Sequence, residues 1–274
     1  MNKYNYKLET LTNENAISYY LLGAWMTDGC IYHYKNRPNK KSVTLTSKDK
    51  DWLETINKYI CPKKQILQHG KNCYRLMYNS TKLGEWFISK GCVPKKSLIL
   101  RFPVIPDEYI PDFIRGCWDG DGSLSFTKSG NKGKNFQRQA NFTSGSLLFC
   151  QELSKQLFKY GIKNNVILHS AKERKIENRI LQPSKNYRVI ITSGESVYIM
   201  CKLLYHNSTI FMSRKYNIAH QIIDNWELPS FCNECGITIK LKTRAGRRPK
   251  NCKTCTKILY NSRQRKKYNN KKHL

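Results

Sequence analysis

Two segments of the chain are apolar around their whole circumference and end in Asp-Gly. SYYLLGAWMTDG ends at Gly29, and DFIRGCWDGDG ends at Gly122. A helix that is apolar on every side is normally buried, so the pattern predicts two core helices. Their closing glycines suit the left-handed backbone conformation that ends many helices.

The segments after each core helix follow the same order twice. Two strand-like stretches come first, a helical pattern follows, and a second pair of strands and a last helix complete the copy. The first strand pairs are Cys30–Tyr34 with Val43–Ser47, and Ser123–Thr127 with Gln137–Ser144. A repeat of this kind decides the architecture. The sequence therefore predicts an α+β fold made of a duplicated αββαββα unit.

The composition changes near Pro229, which predicts a third region. Residues 229–274 contain 14 lysines and arginines against one acid, Glu234. We expect a first repeat and connector at 1–104, a second repeat at 105–228 and a small module at 229–274. The polar insert Ala171–Lys185 is predicted to be a loop of the second repeat.

The charge indicates the kind of partner. The chain of 274 residues carries 49 Lys and Arg against 19 Asp and Glu, a formal net charge of +30. Such a surplus favours nucleic acid over an anionic membrane surface. Ile17–Met26 is about half as long as a membrane-spanning helix, and the polar residues 1–15 lack the apolar region of a secretory signal. We expect no membrane partner and an intracellular, reducing compartment.

Four of the eleven cysteines have the spacing of a zinc site. Cys232, Cys235, Cys252 and Cys255 form two C-x2-C pairs separated by sixteen residues. Zinc held by four thiolates has no open coordination position, so we predict a structural Zn²⁺. The basic stretches around it, including a predicted basic helix or frayed tail, are expected to add phosphate contacts.

Asp28 and Asp121 stand at the same place in the two repeats, at the end of a buried helix. An anion is unfavourable there, because the exposed carbonyl groups already carry partial negative charge. Gly23 with Ala24, and Gly116 with Cys117, would let the two helices pack closely. Both carboxylates would then meet, and oxygen-only surroundings suit Mg²⁺.

These residues resemble a known family. Leu21-Leu22-Gly23-Ala24-Trp25-Met26-Thr27-Asp28-Gly29 and Ile114-Arg115-Gly116-Cys117-Trp118-Asp119-Gly120-Asp121-Gly122 are similar to the paired motifs of single-chain LAGLIDADG homing endonucleases. The resemblance covers about residues 13–225. The first motif departs from the family pattern at Met26, whereas the second keeps an aspartate, Asp119, at that position.

The resemblance implies a fold and an activity. It implies a monomer whose two antiparallel β-saddles lie in the major groove of double-stranded DNA. Asp28 and Asp121 would bind Mg²⁺ or Mn²⁺, and Asp119 would not, because its counterpart is Met26. The expected function is intron homing: site-specific hydrolysis of both DNA strands with 3′ overhangs.

The resemblance also implies assisting residues in each repeat. The basic residue is Lys95 or Lys96 in the first repeat and Arg214 or Lys215 in the second, of which we select Lys96 and Lys215. Ser213 is a further candidate for the lysine position, and Ser47 and Ser144 for the polar residues that order water. A solvated or phosphate-contacting surface role is the alternative for each of them.

Polar residues of the predicted strands are candidates for reading the DNA, since a β-ribbon fits the major groove. Alternation alone leaves open which of the two faces meets DNA. The candidates are Tyr32, Tyr34, Thr44, Thr46, Arg75, Gln137, Gln139, Asn141 and Arg188.

Two other functions remain open at this stage. One is a maturase that binds intron RNA and assists splicing, which is compatible with intact carboxylates. The other is a noncatalytic DNA-binding regulator, which would gain nothing from two anions near phosphate. The AT-rich codon usage implied by abundant Asn, Lys, Tyr and Ile fits a phage, a virus or an organelle.

Overall fold

The first repeat has the predicted order of elements. A computed structural model describes residues 4–34, 36–129, 135–171, 174–176, 179–181, 184–227, 230–239 and 250–272. The elements up to the connector are α1 (Glu9–Thr12), α2 (Ala16–Thr27), β1 (Gly29–Tyr34), β2 (Arg37–Ser47), α3 (Lys50–Ile60), β3 (Leu67–Gln68), β4 (Tyr74–Tyr78) and α4 (Thr81–Ser89).

The second repeat has the same order with one insertion. Its elements are α5 (Ile110–Asp121), β5 (Gly122–Ser129), β6 (Asn135–Ser144), α6 (Leu147–Lys159), β7 (Asn165–Ala171), β8 (Arg174–Ile176), β9 (Arg179–Leu181), β10 (Ser184–Ile191), α7 (Gly194–Tyr205) and α8 (Ser213–Glu227). The prediction of a loop across 171–185 was wrong for its described part, because β8 and β9 form an antiparallel hairpin. Backbone groups pair in such a ribbon whatever the polarity of the side chains.

Side-chain caps begin several of these helices. Asn15 and Ser18 form a reciprocal capping box at the start of α2, which pairs two backbone N–H groups that would otherwise lack partners. Ser80, Ser146 and Ser193 accept a backbone N–H at the starts of α4, α6 and α7. Short polar residues before apolar runs thus position the helices locally.

Two four-stranded antiparallel sheets have equivalent strand orders. They run β1-β2-β4-β3 and β5-β6-β10-β7. One face of each sheet is buried: Val43 lies opposite Tyr78 and Phe142 opposite Val189, and all four are fully buried. We call the opposite face of each sheet the open face. The duplicated α+β fold is confirmed.

Glycines let α2 and α5 pack backbone to backbone, as predicted. A Cβ at Gly23 would lie 2.3 Å from the carbonyl oxygen of Phe113, and one at Gly116 would lie 2.1 Å from that of Tyr20. Any side chain at either position would force the two helices apart. Their pairing brings the C-terminal ends of both helices to one place between the sheets.

Gly29 and Gly122 do not adopt the left-handed conformation that we expected of the closing glycines. Neither residue has a positive φ angle. An added Cβ would instead lie 2.5 Å from the indole of Trp25 or of Trp118. These glycines are required because the tryptophan one turn earlier folds over them.

The C-terminal region contains a small hairpin and a helix. Ser230–Phe231 (β11) pairs with Thr238–Ile239 (β12), and α9 spans Lys253–Lys272, so the basic tail is helical where it is described. The composition change at Pro229 lies outside the described residues, and the three domain ranges remain predictions. In the described ranges, no helix combines the length and the apolar character that spanning a membrane requires.

The close packing of the helices predicts a large effect of one methyl group. Gly116→Ala should lower the free energy of unfolding by about 3 kcal/mol, since the methyl meets backbone atoms that cannot move aside. Urea denaturation of both proteins measures the difference.

Gly70 offers a matched control. Its φ is +79° and nothing lies within 4 Å of an added Cβ, so Gly70→Ala adds left-handed strain alone and should cost about 1 kcal/mol. Equal losses in the two variants would contradict the backbone contact at Gly116.

Candidate functional site

Two carboxylates stand together at the ends of the paired helices. Asp28 is the C-cap residue of α2, and Asp121 is the last residue of α5. A Cβ at Gly120 would lie 3.6 Å from the carboxyl carbon of Asp28, which places Asp28 beside the turn that carries Asp121. Both side chains reach solvent. The expected juxtaposition of the two acids is therefore present.

The surroundings oppose ionisation of both acids. Dehydration by the crowded protein surface raises the pKa of Asp121. Dehydration and then the negative charge of Asp121 raise the pKa of Asp28 to about 6, although Lys215 and Lys96 act in the opposite direction. Two anions at helix C-termini require a cation, and the two lysines supply part of that charge.

One buried lysine lies at the end of each core helix. The Lys96 ammonium donates to the carbonyl of Gly29, and that of Lys215 donates to the carbonyls of Trp118 and Asp119, each at 2.6 Å. Burial lowers the pKa of Lys215 to about 8, and the carboxylates of Asp119, Asp28 and Asp121 limit this fall. Lys215 thus contacts carbonyl groups of the last turn of α5, and Lys96 contacts the carbonyl of the residue that follows the C-cap of α2.

The alternative basic residues lie elsewhere. Lys95 is exposed in a left-handed backbone conformation, with φ of 55°. Arg214 forms two hydrogen bonds of 3.1 Å with the Asp49 carboxylate. Ser213 is the first residue of α8, two positions before Lys215. Among the candidates, Lys96 and Lys215 are the pair in contact with the two helix ends.

Ser47 and Ser144 have equivalent local roles. Their hydroxyl oxygens accept the backbone N–H of Asp49 and of Ser146, respectively, two residues onward. Ser144 also lines a cleft of about 220 Å³ with Asp121, Thr143 and Asn186, among others. This volume is enough for several water molecules, each of which occupies about 30 Å³ in the liquid.

The strand register places the predicted DNA-contact residues on the open faces. Thr46 lies opposite Arg75 in the first sheet, and in the second sheet the register puts the remaining candidates out of phase with the buried residues Ala140 and Phe142. Tyr34 is exposed at the end of β1. One candidate is covered: Thr44 is 4% exposed and is hydrogen-bonded to Tyr32. At this place on the open face, the side chain that solvent reaches is therefore that of Tyr32. The set that shares the open faces is Tyr32, Thr44, Thr46, Arg75, Gln137, Gln139, Asn141 and Arg188.

Residues 108–204 match the family described as LAGLIDADG-like domain. This segment of the second repeat is therefore similar to that domain family. The matched segment spans α5 to α7, so it contains Asp121 and ends before Lys215.

Solved structures extend the likeness to both repeats. The LAGLIDADG homing endonuclease I-SmaMI bound to cleaved DNA has a TM-score of 0.50 and 13% identity, covering 77% of this chain and 88% of that chain. I-GzeII in complex with a DNA target has a TM-score of 0.50 and 13% identity, covering 78% and 92%. At this identity the likeness shows the duplicated LAGLIDADG fold. No curated protein matches the chain in sequence.

Asp119 of the second repeat has a structural position that sequence reasoning missed. Its carboxylate is fully buried and accepts hydrogen bonds from the hydroxyls of Tyr20 and Tyr205 and from the backbone N–H of Met212, at 2.6, 2.7 and 2.8 Å. Trp52 donates in turn to the Tyr20 hydroxyl. The network joins both repeats to the segment that leads into α8. The signal in the sequence was an acidic residue inside an apolar helix, because a buried carboxylate needs hydrogen-bond donors around it.

The four cysteines of the C-terminal region come together as predicted. The sulfur atoms of Cys232, Cys235, Cys252 and Cys255 all lie within 4.8 Å of one another. Dehydration opposes ionisation of Cys232, but backbone N–H groups, that of Cys252 first, lower its pKa to about 6. Four converging sulfurs with backbone N–H donors form a suitable metal-binding set.

The raised pKa of Asp28 predicts a pH-dependent gain in stability for Asp28→Asn. Ionised Asp28 destabilises the metal-free protein above pH 6, and below about pH 4 it is protonated in the folded and unfolded chains alike. In EDTA, Asp28→Asn should raise the Tm at pH 7.5 and leave it unchanged at pH 3.5. A gain that persists at pH 3.5 would show that the charge is not its cause.

Proposed function

We propose that the chain is a site-specific DNA endonuclease that hydrolyses both strands with the help of a divalent metal and leaves 3′ overhangs. The observation that carries the proposal is the meeting of Asp28 and Asp121 between two open-faced sheets. The fold supports it, because two such faces related by a pseudo-twofold axis match the two halves of a DNA site.

The acids have the chemistry of a Mg²⁺ or Mn²⁺ site. Asp28 and Asp121 offer hard oxygen ligands, they reach solvent, and their raised pKa values indicate negative charge in need of a cation. A metal held there supplies a water of lowered pKa and neutralises the leaving oxygen. Asp28 and Asp121 would hold it in place, one from each repeat.

Lys96 and Lys215 would act on the phosphates. Each ammonium is fixed by carbonyl groups at the end of one core helix, so its position is set before DNA binds. The charge that accumulates on phosphate oxygens during hydrolysis is stabilised by such fixed cations. Each repeat thus supplies one lysine, which would act on the phosphate of one DNA strand.

Double-stranded DNA is the proposed partner, bound by a monomer. The two acids belong to one chain, so a second copy is not needed to complete the site. The open-face residues would read base edges in the major groove. A regulator that only binds DNA is disfavoured, since paired acids would repel the phosphates without serving any reaction.

The C-terminal module is proposed to hold a structural Zn²⁺ and to anchor flanking DNA. Four thiolates fill the coordination sphere, so the metal would stabilise the fold of a segment too small to have its own core. Its basic helix α9 would then neutralise phosphates beside the target.

Replacing either acid should stop cleavage and preserve binding. Asp28→Asn and Asp121→Asn should each slow cleavage by about 100-fold or more, because the metal contributes several kcal/mol. The measurement is strand cleavage of a duplex obtained by binding selection, with Mg²⁺ and with EDTA, beside a binding titration.

Asp224→Asn is the matched control, since Asp224 is an exposed acid on α8. It should cleave like the unsubstituted chain. Full cleavage by an Asp28→Asn, Asp121→Asn double variant would overturn the assignment. Binding of RNA in preference to duplex DNA would favour the maturase function.

The full chain should contain one zinc ion. Elemental analysis should give one equivalent for the unsubstituted protein and far less for Cys235→Ser, whereas Cys201→Ser, at a buried cysteine of α7, should keep it. Equal zinc in all three proteins would contradict the four-thiolate site.

A further inference from the structure

A row of three side chains crosses the open face of the first sheet. Thr46 on β2 lies opposite Arg75 on β4, which lies opposite Leu67 on β3. Residues directly opposite one another share a face, with Cβ atoms about 5 Å apart. The row presents a hydroxyl, a guanidinium and an aliphatic group, in that order.

The second sheet carries the same row. Thr143 on β6 lies opposite Arg188 on β10, which lies opposite Ile167 on β7. The order of chemical groups is the same from the inner strand to the edge strand. Because the repeats differ in most residues, the agreement at all three positions is informative.

Each row begins near one of the two carboxylates. Gly29, which follows Asp28, pairs with Leu45, the neighbour of Thr46, and Gly122, which follows Asp121, pairs with Phe142, the neighbour of Thr143. Asp121 and Thr143 also line one cleft. Strands are about 4.8 Å apart, which puts each arginine about 5 Å and each aliphatic residue about 10 Å from the threonine of its row.

The aliphatic ends of the rows are exposed on a polar surface. Leu67 is 44% and Ile167 41% exposed. A single exposed aliphatic side chain is ordinary, but equivalent ones beside an arginine in both repeats suggest a shared role. Neither contributes to the core, which lies on the other face of each sheet.

The two arginines are held in different ways. The Arg75 guanidinium contacts the ring of His69. The Nε of Arg188 is buried without a hydrogen-bond partner among the described residues, which is unfavourable unless a partner is supplied. In the major groove, arginine pairs with guanine O6 and N7, and aliphatic groups contact the 5-methyl group of thymine.

We propose that Arg75 with Leu67, and Arg188 with Ile167, are specificity-determining pairs, each reading a guanine and a nearby thymine methyl in one half-site. The inference rests on the proposed DNA function. Strand spacing of about 4.8 Å against about 3.4 Å per base pair places the two bases one or two steps apart. Because a pseudo-twofold axis relates the two repeats, the guanine and thymine of one half-site should recur in the other half-site in inverted orientation.

Selection of binding sites is the first test. The full chain is incubated with a random duplex library in EDTA, which prevents metal-dependent cleavage. The enriched site should contain guanine and thymine at matching positions of its two halves. Failure to enrich any site would count against the proposed DNA function, and an enriched site without this inverted pattern would overturn the inference alone.

Replacement of thymine by uracil, which removes only the methyl group, is the second test. It should weaken binding about fourfold in each half-site, the factor for burial of one methyl group. Leu67→Ala should abolish the uracil effect in one half-site and Ile167→Ala in the other. Arg75→Ala should relax the guanine preference about tenfold in the same half-site as Leu67→Ala.

Leu168→Ala is the matched control. Leu168 is next to Ile167 and 54% exposed, but it lies one position out of register and therefore on the opposite face. It should keep the uracil effect in both half-sites. A uracil effect that survives in both Leu67→Ala and Ile167→Ala would overturn the proposal.

Discussion

The direct contact between the backbones of α2 and α5 is the constraint on which the rest of the molecule depends. Gly23 and Gly116 bring the two backbones into direct contact. The two repeats therefore meet along these helices, and the helix ends are held close to each other. Two acids are thereby held together at helix C-termini, where the carbonyl dipoles already disfavour negative charge. Lys215 contacts carbonyl groups at the end of α5, and Lys96 contacts the carbonyl of Gly29, just beyond the end of α2.

The two halves are equivalent in backbone and unequal in electrostatics. Asp119 in α5 has Met26 as its counterpart in α2, and Asp119 ties the segment before α8 to both repeats. That segment leads to Lys215, which therefore sits on a carboxylate-anchored support. Lys96 stands instead on a short helical turn after an exposed connector residue. A duplicated fold can thus hold two similar groups on different supports.

Each sheet has one face in the core and one open face. Alternation puts Val43 and Leu45 into the core, and it puts the intervening residues on the open face. The helices stack on the buried faces, and the open faces are left for a partner on the side of the acids. The same register that fills the core also orders the exposed rows that run from Thr46 to Leu67 and from Thr143 to Ile167. A slip of one residue would destroy the core and the row together.

Local patterns were sufficient for much of this architecture. All-apolar segments ending in Asp-Gly, strand alternation and the C-x2-C pairs determined the duplicated fold, the place of the two acids and the four-cysteine set, because each depends on neighbours in sequence. The tertiary structure alone decided the rest. Sequence analysis selected Lys96 and Lys215, but only the tertiary structure shows that these two side chains, and not Lys95 and Arg214, contact the ends of the core helices. The face that Arg75 occupies depends on pairing between strands, and the need for glycine at 29 and 122 depends on a tryptophan folded over the chain, because contacts across space leave no periodic signal in the sequence.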